Sequence, residues 1–292
     1  MCDDHDLDTM SDYQRKSSDL SRRQFAALAT GAGLLMTLPR AANAMDVVEK
    51  DLDIKTPDGT ADSYFVHPAS GKHPAVLVWT DIFGLRPAFK QMARRLAEQG
   101  YSVLVPNPFY RTKRAPVVPA GVTMDSPGGR EQIMANGRSL NATTHVTDAN
   151  AFVAWLDKQA SVDTRRKIGT TGYCMGGSIV LRTAATLPDR IGAGATFHGG
   201  NGMASGSPES PHLLIPKMKA QFLMALAESD DMQDPTVKTK LGDAFAAAKV
   251  KAEVEVYKAK HGWCPPDSAV YDEKEAERAW ARMMALFKTA LA

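Results

Sequence analysis

The sequence predicts an α/β fold: a mostly parallel central sheet with helices on both faces. Three observations carry that prediction. Strand-like and helix-like segments alternate along most of the chain. Ala75-Val76-Leu77-Val78-Trp79 is a continuous apolar run, as expected of a strand covered on both sides. The chain has 292 residues, 44% of them hydrophobic, which is enough for one large domain with a substantial core.

Taken in order, residues 1–44 read as a cleavable export signal. Ser21-Arg22-Arg23-Gln24-Phe25 precedes an apolar run over 26–38 that is too short to span a bilayer. Ala42-Asn43-Ala44 then supplies the small–x–small pattern that a signal peptidase requires. Paired arginines before a modestly apolar run point to the twin-arginine type, with the twin-arginine export machinery as partner. The expected location is periplasmic or secreted, with cleavage near Ala44 and no stable membrane anchor afterwards. A short buried helix or a membrane anchor is the alternative. Residues 45–292 then form a single domain.

Within that domain, residues 47–54 and 63–66 read as opening strands around the turn at Pro57-Asp58-Gly59. The strand at 75–79 follows, then a helix over 89–98 that stops at Gly100, then a strand over 101–105. The Pro/Gly-rich stretch 106–137 is too long for a simple connection and reads as a functional surface loop over the site. A helix over 146–156, a strand over 167–171 and a helix over 178–187 come next. Strands at 191–197, 220–227 and 253–257 complete the sheet. An amphipathic helix closes the chain over 272–291, with Ala276, Trp280, Met283, Met284 and Phe287 on one side.

Composition narrows the chemistry. Charged residues make up 23% of the chain and the net charge is +2, so no strong field favours nucleic acid. Cys2, Cys174 and Cys264 are too few and too scattered for a metal site or a disulfide framework, and no metal or organic cofactor is expected.

The chemistry concentrates at Gly172-Tyr173-Cys174-Met175-Gly176-Gly177. A strand that ends in Gly-x-nucleophile-x-Gly and opens into a helix is the nucleophile elbow of an α/β-hydrolase fold. The small residues on either side let strand and helix approach closely. The helix N-terminus beneath the turn favours a thiolate and an oxyanion. Cys174 is therefore the candidate nucleophile, against the alternative of an ordinary buried cysteine. Its partners should follow in the order acid, then histidine. Asp230 comes after the strand at 220–227, with Asp231 and Asp234 as substitutes, and His261 comes after the strand at 253–257. His198 also ends a strand, but it precedes the acid and fails the order test. His67, His73, His145 and His212 are expected on the surface or in loops.

These motifs resemble those of the dienelactone hydrolase family, of which carboxymethylenebutenolidase is the best-known activity. The likeness runs from about Met45 to the last helix. It implies cleavage of small ester or lactone bonds through a Cys174, His261 and Asp230 triad and a thioester acyl-enzyme. Thr80-Asp81-Ile82-Phe83-Gly84 is similar to a family segment whose acidic residue contacts the cysteine. The resemblance thus implies a nucleophile-contacting role for Asp81, usually Glu in the family, and an oxyanion hole from the N–H groups of Ile82 and Met175. A capping role is the alternative for Asp81. Val105-Pro106-Asn107-Pro108-Phe109-Tyr110-Arg111 resembles the stretch that ends in a carboxylate-binding arginine. It implies Arg111 as an anion clamp for a carboxylated substrate, with Arg86 assisting. A second arginine, four residues after the histidine in the best-known members, is replaced here by Pro265.

A reading of a different class keeps the scaffold but not the activity: a thiol-based redox or ligand-binding protein. Its basis is Cys264, three residues past His261 and a candidate partner for Cys174.

Overall fold

The computed structural model describes Leu38 and residues 44–292. The export signal predicted for residues 1–44 therefore lies outside the described residues, apart from Leu38 and Ala44. Strands β1 (Val47–Thr56), β2 (Gly59–Pro68), β3 (Ala75–Trp79), β4 (Ser102–Pro106), β5 (Ile168–Tyr173), β6 (Ile191–Phe197), β7 (Gln221–Ala227) and β8 (Ala252–Tyr257) form one sheet. Its order is β1-β2-β4-β3-β5-β6-β7-β8. β1 pairs antiparallel with β2, and β2 with β4. Every pairing from β4 across to β8 is parallel.

Alternation along the strands divides the core in two. Leu77 and Trp79 of β3 face α3 (Ala142–Leu156), α4 (Gly176–Thr186) and α6 (Thr236–Ala247) through Phe152, Ile179, Leu241 and Phe245. Val76 and Val78 face α1 (Pro87–Ala97) and α7 (Glu273–Ala290) through Phe89, Leu96, Met283 and Phe287. Each large apolar side chain buried in this way contributes about 1.5–3 kcal/mol. Local signals agree with these positions. Pro87 opens α1, where its missing N–H costs nothing, and Asp272 caps α7 by accepting from the Glu275 N–H at 3.0 Å.

Three helices modify the sequence reading. The stretch 106–137 contains a helix, α2 (Gly129–Gly137), and buries Phe109, Val117, Met124 and Ile133 in the core that holds Cys174. It packs down on the turn after β3: a Cβ at Gly84 would lie 2.7 Å from Val117 Cγ2. α6 has no counterpart in the expected elements, nor has the short α5 (Glu228–Gln233).

The topology fixes where a site can sit. From β3 the chain runs to β4 on one side, whereas from β5 it runs to β6 on the other. The crevice between the carboxyl ends of β3 and β5 is the switch point at which open α/β sheets bind ligands. Asp81-Ile82 follows one strand and Cys174 the other.

The close approach at that crevice is testable. A Cβ at Gly172 would lie 2.2 Å from the Gly176 carbonyl oxygen, whereas one at Gly242, inside α6, meets nothing within 4 Å. Gly172→Ala is expected to lower unfolding free energy by about 3 kcal/mol or more in urea titrations. Gly242→Ala is expected to raise it by about 0.5–1 kcal/mol. Equal stability of the two variants would refute the packing account.

Candidate active site

Cys174 stands between β5 and α4 with φ 52°, a left-handed conformation that side chains other than glycine rarely adopt. Holding it costs on the order of 1–3 kcal/mol, which the surrounding contacts must supply. Its N–H donates to the Phe197 carbonyl at 3.0 Å, and its own carbonyl accepts from the Gly177 N–H at 3.0 Å. Two glycines make the turn possible. Gly172 lies against Gly176, and a Cβ at Gly176 would lie 2.6 Å from the Trp79 carbonyl oxygen and 2.9 Å from that of Thr80. The start of α4 is thus pressed against the end of β3, so Met175 and Ile82 share one buried cluster with Cys174.

On the other side of the crevice, three consecutive residues after β7 hold two of those after β8. The Glu228 N–H donates to the Ala259 carbonyl at 3.0 Å. The His261 N–H donates to Ser229 Oγ at 2.9 Å. His261 Nδ1 lies 2.9 and 3.0 Å from the two oxygens of Asp230. His261 and Asp230 are 1% and 2% exposed, so the contact is shielded from water. An ionised carboxylate at Nδ1 fixes the tautomer that carries its proton there and leaves Nε2 to work as a base. Of the substitute acids, Asp231 pairs with Lys238 and Asp234 accepts from Thr236.

The expected substrate-contacting charges lie elsewhere. Asp81 gives both carboxylate oxygens to Arg86, at 2.6 and 2.9 Å, and also accepts from the Phe83 N–H at 3.0 Å. The last contact is a cap, the alternative reading of this residue. Arg86 is in turn held by Asp267, through Nε at 2.6 Å and Nη2 at 3.0 Å. It therefore straps the turn after β3 to the segment that follows His261. A groove of about 640 Å³ borders Arg86, Asp62 and Arg114, and neither Cys174 nor His261 is among its lining residues.

Arg111 binds Asp148 at 2.7 and 2.9 Å and Asp58 at 2.6 and 2.9 Å. Asp148 is 1% exposed, and burial lifts its carboxyl above the usual range against the pull of Arg111. Both arginines expected at a substrate carboxylate thus each hold two carboxylates of the chain itself.

The histidines also depart from expectation in one place. His145 is on α3 and only 8% exposed, not a surface residue. Burial, with the charges of Arg182 and Arg111, lowers its pKa to about 3. His198 is fully buried beside His261, with ring centroids 5.1 Å apart. Cys264 lies in the cluster on the α1/α7 face, opposite the one that contains Cys174. Burial raises its thiol pKa well above the usual value, and neither cysteine is in a disulfide among the described residues. The two thiols behind the redox reading thus belong to different buried clusters.

Among the described residues, no helix is long and apolar enough to cross a membrane. The family model of the dienelactone hydrolase family matches residues 61–291. A protein of Synechocystis sp., provisionally named carboxymethylenebutenolidase, is 30% identical over 237 residues, covering 78% of this chain and 91% of its own. A second of that provisional name, from Methylorubrum extorquens, is 29% identical over 283 residues, 92% and 93% of the two chains. The carboxymethylenebutenolidase of Rhodococcus opacus is 32% identical over 141 residues, which span 50% of its length. A crystal structure of a provisionally assigned dienelactone hydrolase from Klebsiella pneumoniae superposes with a TM-score of 0.70 at 23% identity, covering 84% of this chain and 99% of that one. That likeness, with an esterase from an Arctic intertidal metagenomic library at TM-score 0.59 over 87% of this chain and 100% of that one, shows the α/β-hydrolase fold.

Two outcomes separate structural from substrate-binding charges. Arg111→Met strands a buried Asp148 and is expected to cost about 3–5 kcal/mol of unfolding free energy. A tenfold higher KM for carboxylated esters with unchanged stability would instead restore the clamp. For His145 the folded-state pKa of about 3 lies below the ordinary value of 6.5, so the unfolded chain takes up the proton first. Its contribution to stability is complete above about pH 6.5 and is lost as pH falls towards 3, at up to about 1.4 kcal/mol per pH unit. His145→Leu is expected to flatten the pH dependence of the urea midpoint between pH 6 and 4. A slope unchanged from wild type would contradict this.

Proposed function

The chain belongs to the dienelactone hydrolase family, and on that premise we propose that it cleaves small ester or lactone bonds with Cys174 as nucleophile, His261 as base and Asp230 as the acid that orients it. The observation that supports this reading most is the meeting of two independently built parts. A strained cysteine at the switch point and a buried Asp–His pair both touch the same third residue, His198. Its Nδ1 accepts from the Cys174 N–H at 3.2 Å, and its ring lies 5.1 Å from that of His261.

In this scheme His261 Nε2 takes the thiol proton as Cys174 Sγ adds to the substrate carbonyl. The carbonyl electron pair moves onto oxygen, which is held by the Ile82 and Met175 N–H groups, each worth about 3–4 kcal/mol in comparable sites. Collapse re-forms the carbonyl as a thioester and expels the alkoxide, which takes the proton back from His261. Water then adds to the thioester with His261 again as base, and thiolate leaves to give the carboxylic acid. For a lactone the expelled alcohol stays on the same molecule, so a hydroxy acid results. Asp81 is given no step in this scheme; its oxygens accept from Arg86 and the Phe83 N–H.

We also propose export by the twin-arginine route on the strength of Arg22-Arg23 and Ala42-Asn43-Ala44. Unchanged periplasmic delivery of the Arg22→Lys/Arg23→Lys variant would overturn it.

The hydrolytic mechanism is tested with a panel of short activated esters and lactones. Cys174→Ala is expected to lose at least about a thousandfold in kcat/KM, since only binding and the oxyanion site remain. Rapid quenching of wild type should show the acyl mass on the Cys174 peptide. Equal turnover by the two proteins would sink the mechanism.

A further inference from the structure

His198 is given no step in the hydrolytic scheme above, yet it touches both that scheme's nucleophile and its base. It follows the last residue of β6 with φ 42° and is fully buried. Its backbone N–H donates to the Ala225 carbonyl at 2.8 Å, which anchors it to the end of β7. Its Nδ1 accepts from the Cys174 N–H at 3.2 Å. A ring nitrogen that accepts carries no proton, so the neutral tautomer with hydrogen on Nε2 is the one selected. Burial, and then the neighbouring His261, hold the imidazole well below the usual histidine range, consistent with that neutral form.

The ring has a second task. It meets His261 at 5.1 Å with planes 65° apart, and Trp263 at 5.1 Å and 68°. Trp263 is itself stacked on Tyr257 at 5.5 Å and 15°, with the Arg278 guanidinium 3.7 Å over the Tyr257 ring. His198 is thus backed by a run of fixed rings that ends at a charged side chain on α7. Asparagine would adopt the left-handed backbone more readily and would still offer a δ-acceptor, but it has no ring to place against His261.

We propose that His198 is a positioning residue for the hydrolysis: its ring seats the His261 imidazole beside the Cys174 turn, in the orientation that exchanges a proton with sulfur. This rests on the assignment of Cys174 and His261 as nucleophile and base. The hydrogen bond to the Cys174 N–H is the lesser part of the role, because Phe197 also accepts from that group at 3.0 Å.

The test compares two variants of the full chain. His198→Asn keeps the acceptor and suits the backbone but removes the ring. It is expected to lower kcat by about tenfold or more while KM stays within about twofold, because misplacing a catalytic group costs rate before it costs binding. Iodoacetamide should alkylate its Cys174 more slowly by a similar factor. His198→Phe keeps a ring and drops the acceptor, and its kcat is expected within about threefold of wild type. A folded His198→Asn enzyme with wild-type kcat, or a loss confined to KM, would overturn the proposal. The asparagine variant decides this alone if the phenylalanine one does not fold. Cys174→Ala run in the same assay separates the two levels. If it retains turnover, the nucleophile assignment fails and the proposal with it. If it is inactive while His198→Asn is fully active, the positioning role alone fails.

Discussion

Gly172 lies so close to Gly176, and Gly176 to the end of β3, that neither could carry a methyl group. These contacts set the position of the whole crevice. A Cβ at the first would sit 2.2 Å from the carbonyl oxygen of the second, and one at the second 2.6 Å from that of Trp79. Because β5, α4 and β3 are held at backbone distance, Cys174 must pass from strand to helix in one residue. It does so at φ 52°. The same approach brings the first turn of α4 alongside the residues that follow β3. The strained Cys174, the helix N-terminus and the 81–84 turn are therefore consequences of a single packing constraint. Side-chain chemistry is laid over it.

The opposite wall of the crevice is built on a different principle. There the chain uses hydrogen bonds in series: Glu228, Ser229 and Asp230 each hold a partner in the segment 259–261. The backbone bond, the hydroxyl and the carboxylate fix position, spacing and tautomer respectively. Arg86 adds a strap from the first wall to the second through Asp81 and Asp267. An arginine fork between two carboxylates gives direction as well as attraction, which suits a link between two loops. The two walls are thus built independently, one by packing and one by polar contacts, and His198 lies where they meet.

The sequence made some of this legible and hid the rest for physical reasons. Strand β3 was readable to the residue, because a two-sided strand has an unbroken apolar run and a sharp end. The elbow was readable because its glycines are dictated by sterics within six residues. The Asp230–His261 contact followed from chain order once the strands were placed. The partners of Arg86 and Arg111 were not readable. Asp267 is 181 residues from Arg86 and Asp148 is 37 from Arg111, so only the fold brings those charges together. His145 was misplaced because polarity suggested the surface, whereas helix α3 turns it inward. Helix α6 did leave a trace in Val237, Leu241 and Phe245, all buried and four residues apart. His198 was set aside by an order rule that applies to bases. That rule is silent about residues that orient them.

The division of the core by the sheet has a bearing on the enzyme's durability. Cys174 belongs to one buried cluster and Cys264 to the other. A cysteine proposed as nucleophile can be lost to a second thiol only where the two sulfurs can meet and an oxidant takes up the two electrons that disulfide formation releases. Among the described residues neither sulfur is in a disulfide, and one between them would have to bridge two clusters that pack separately.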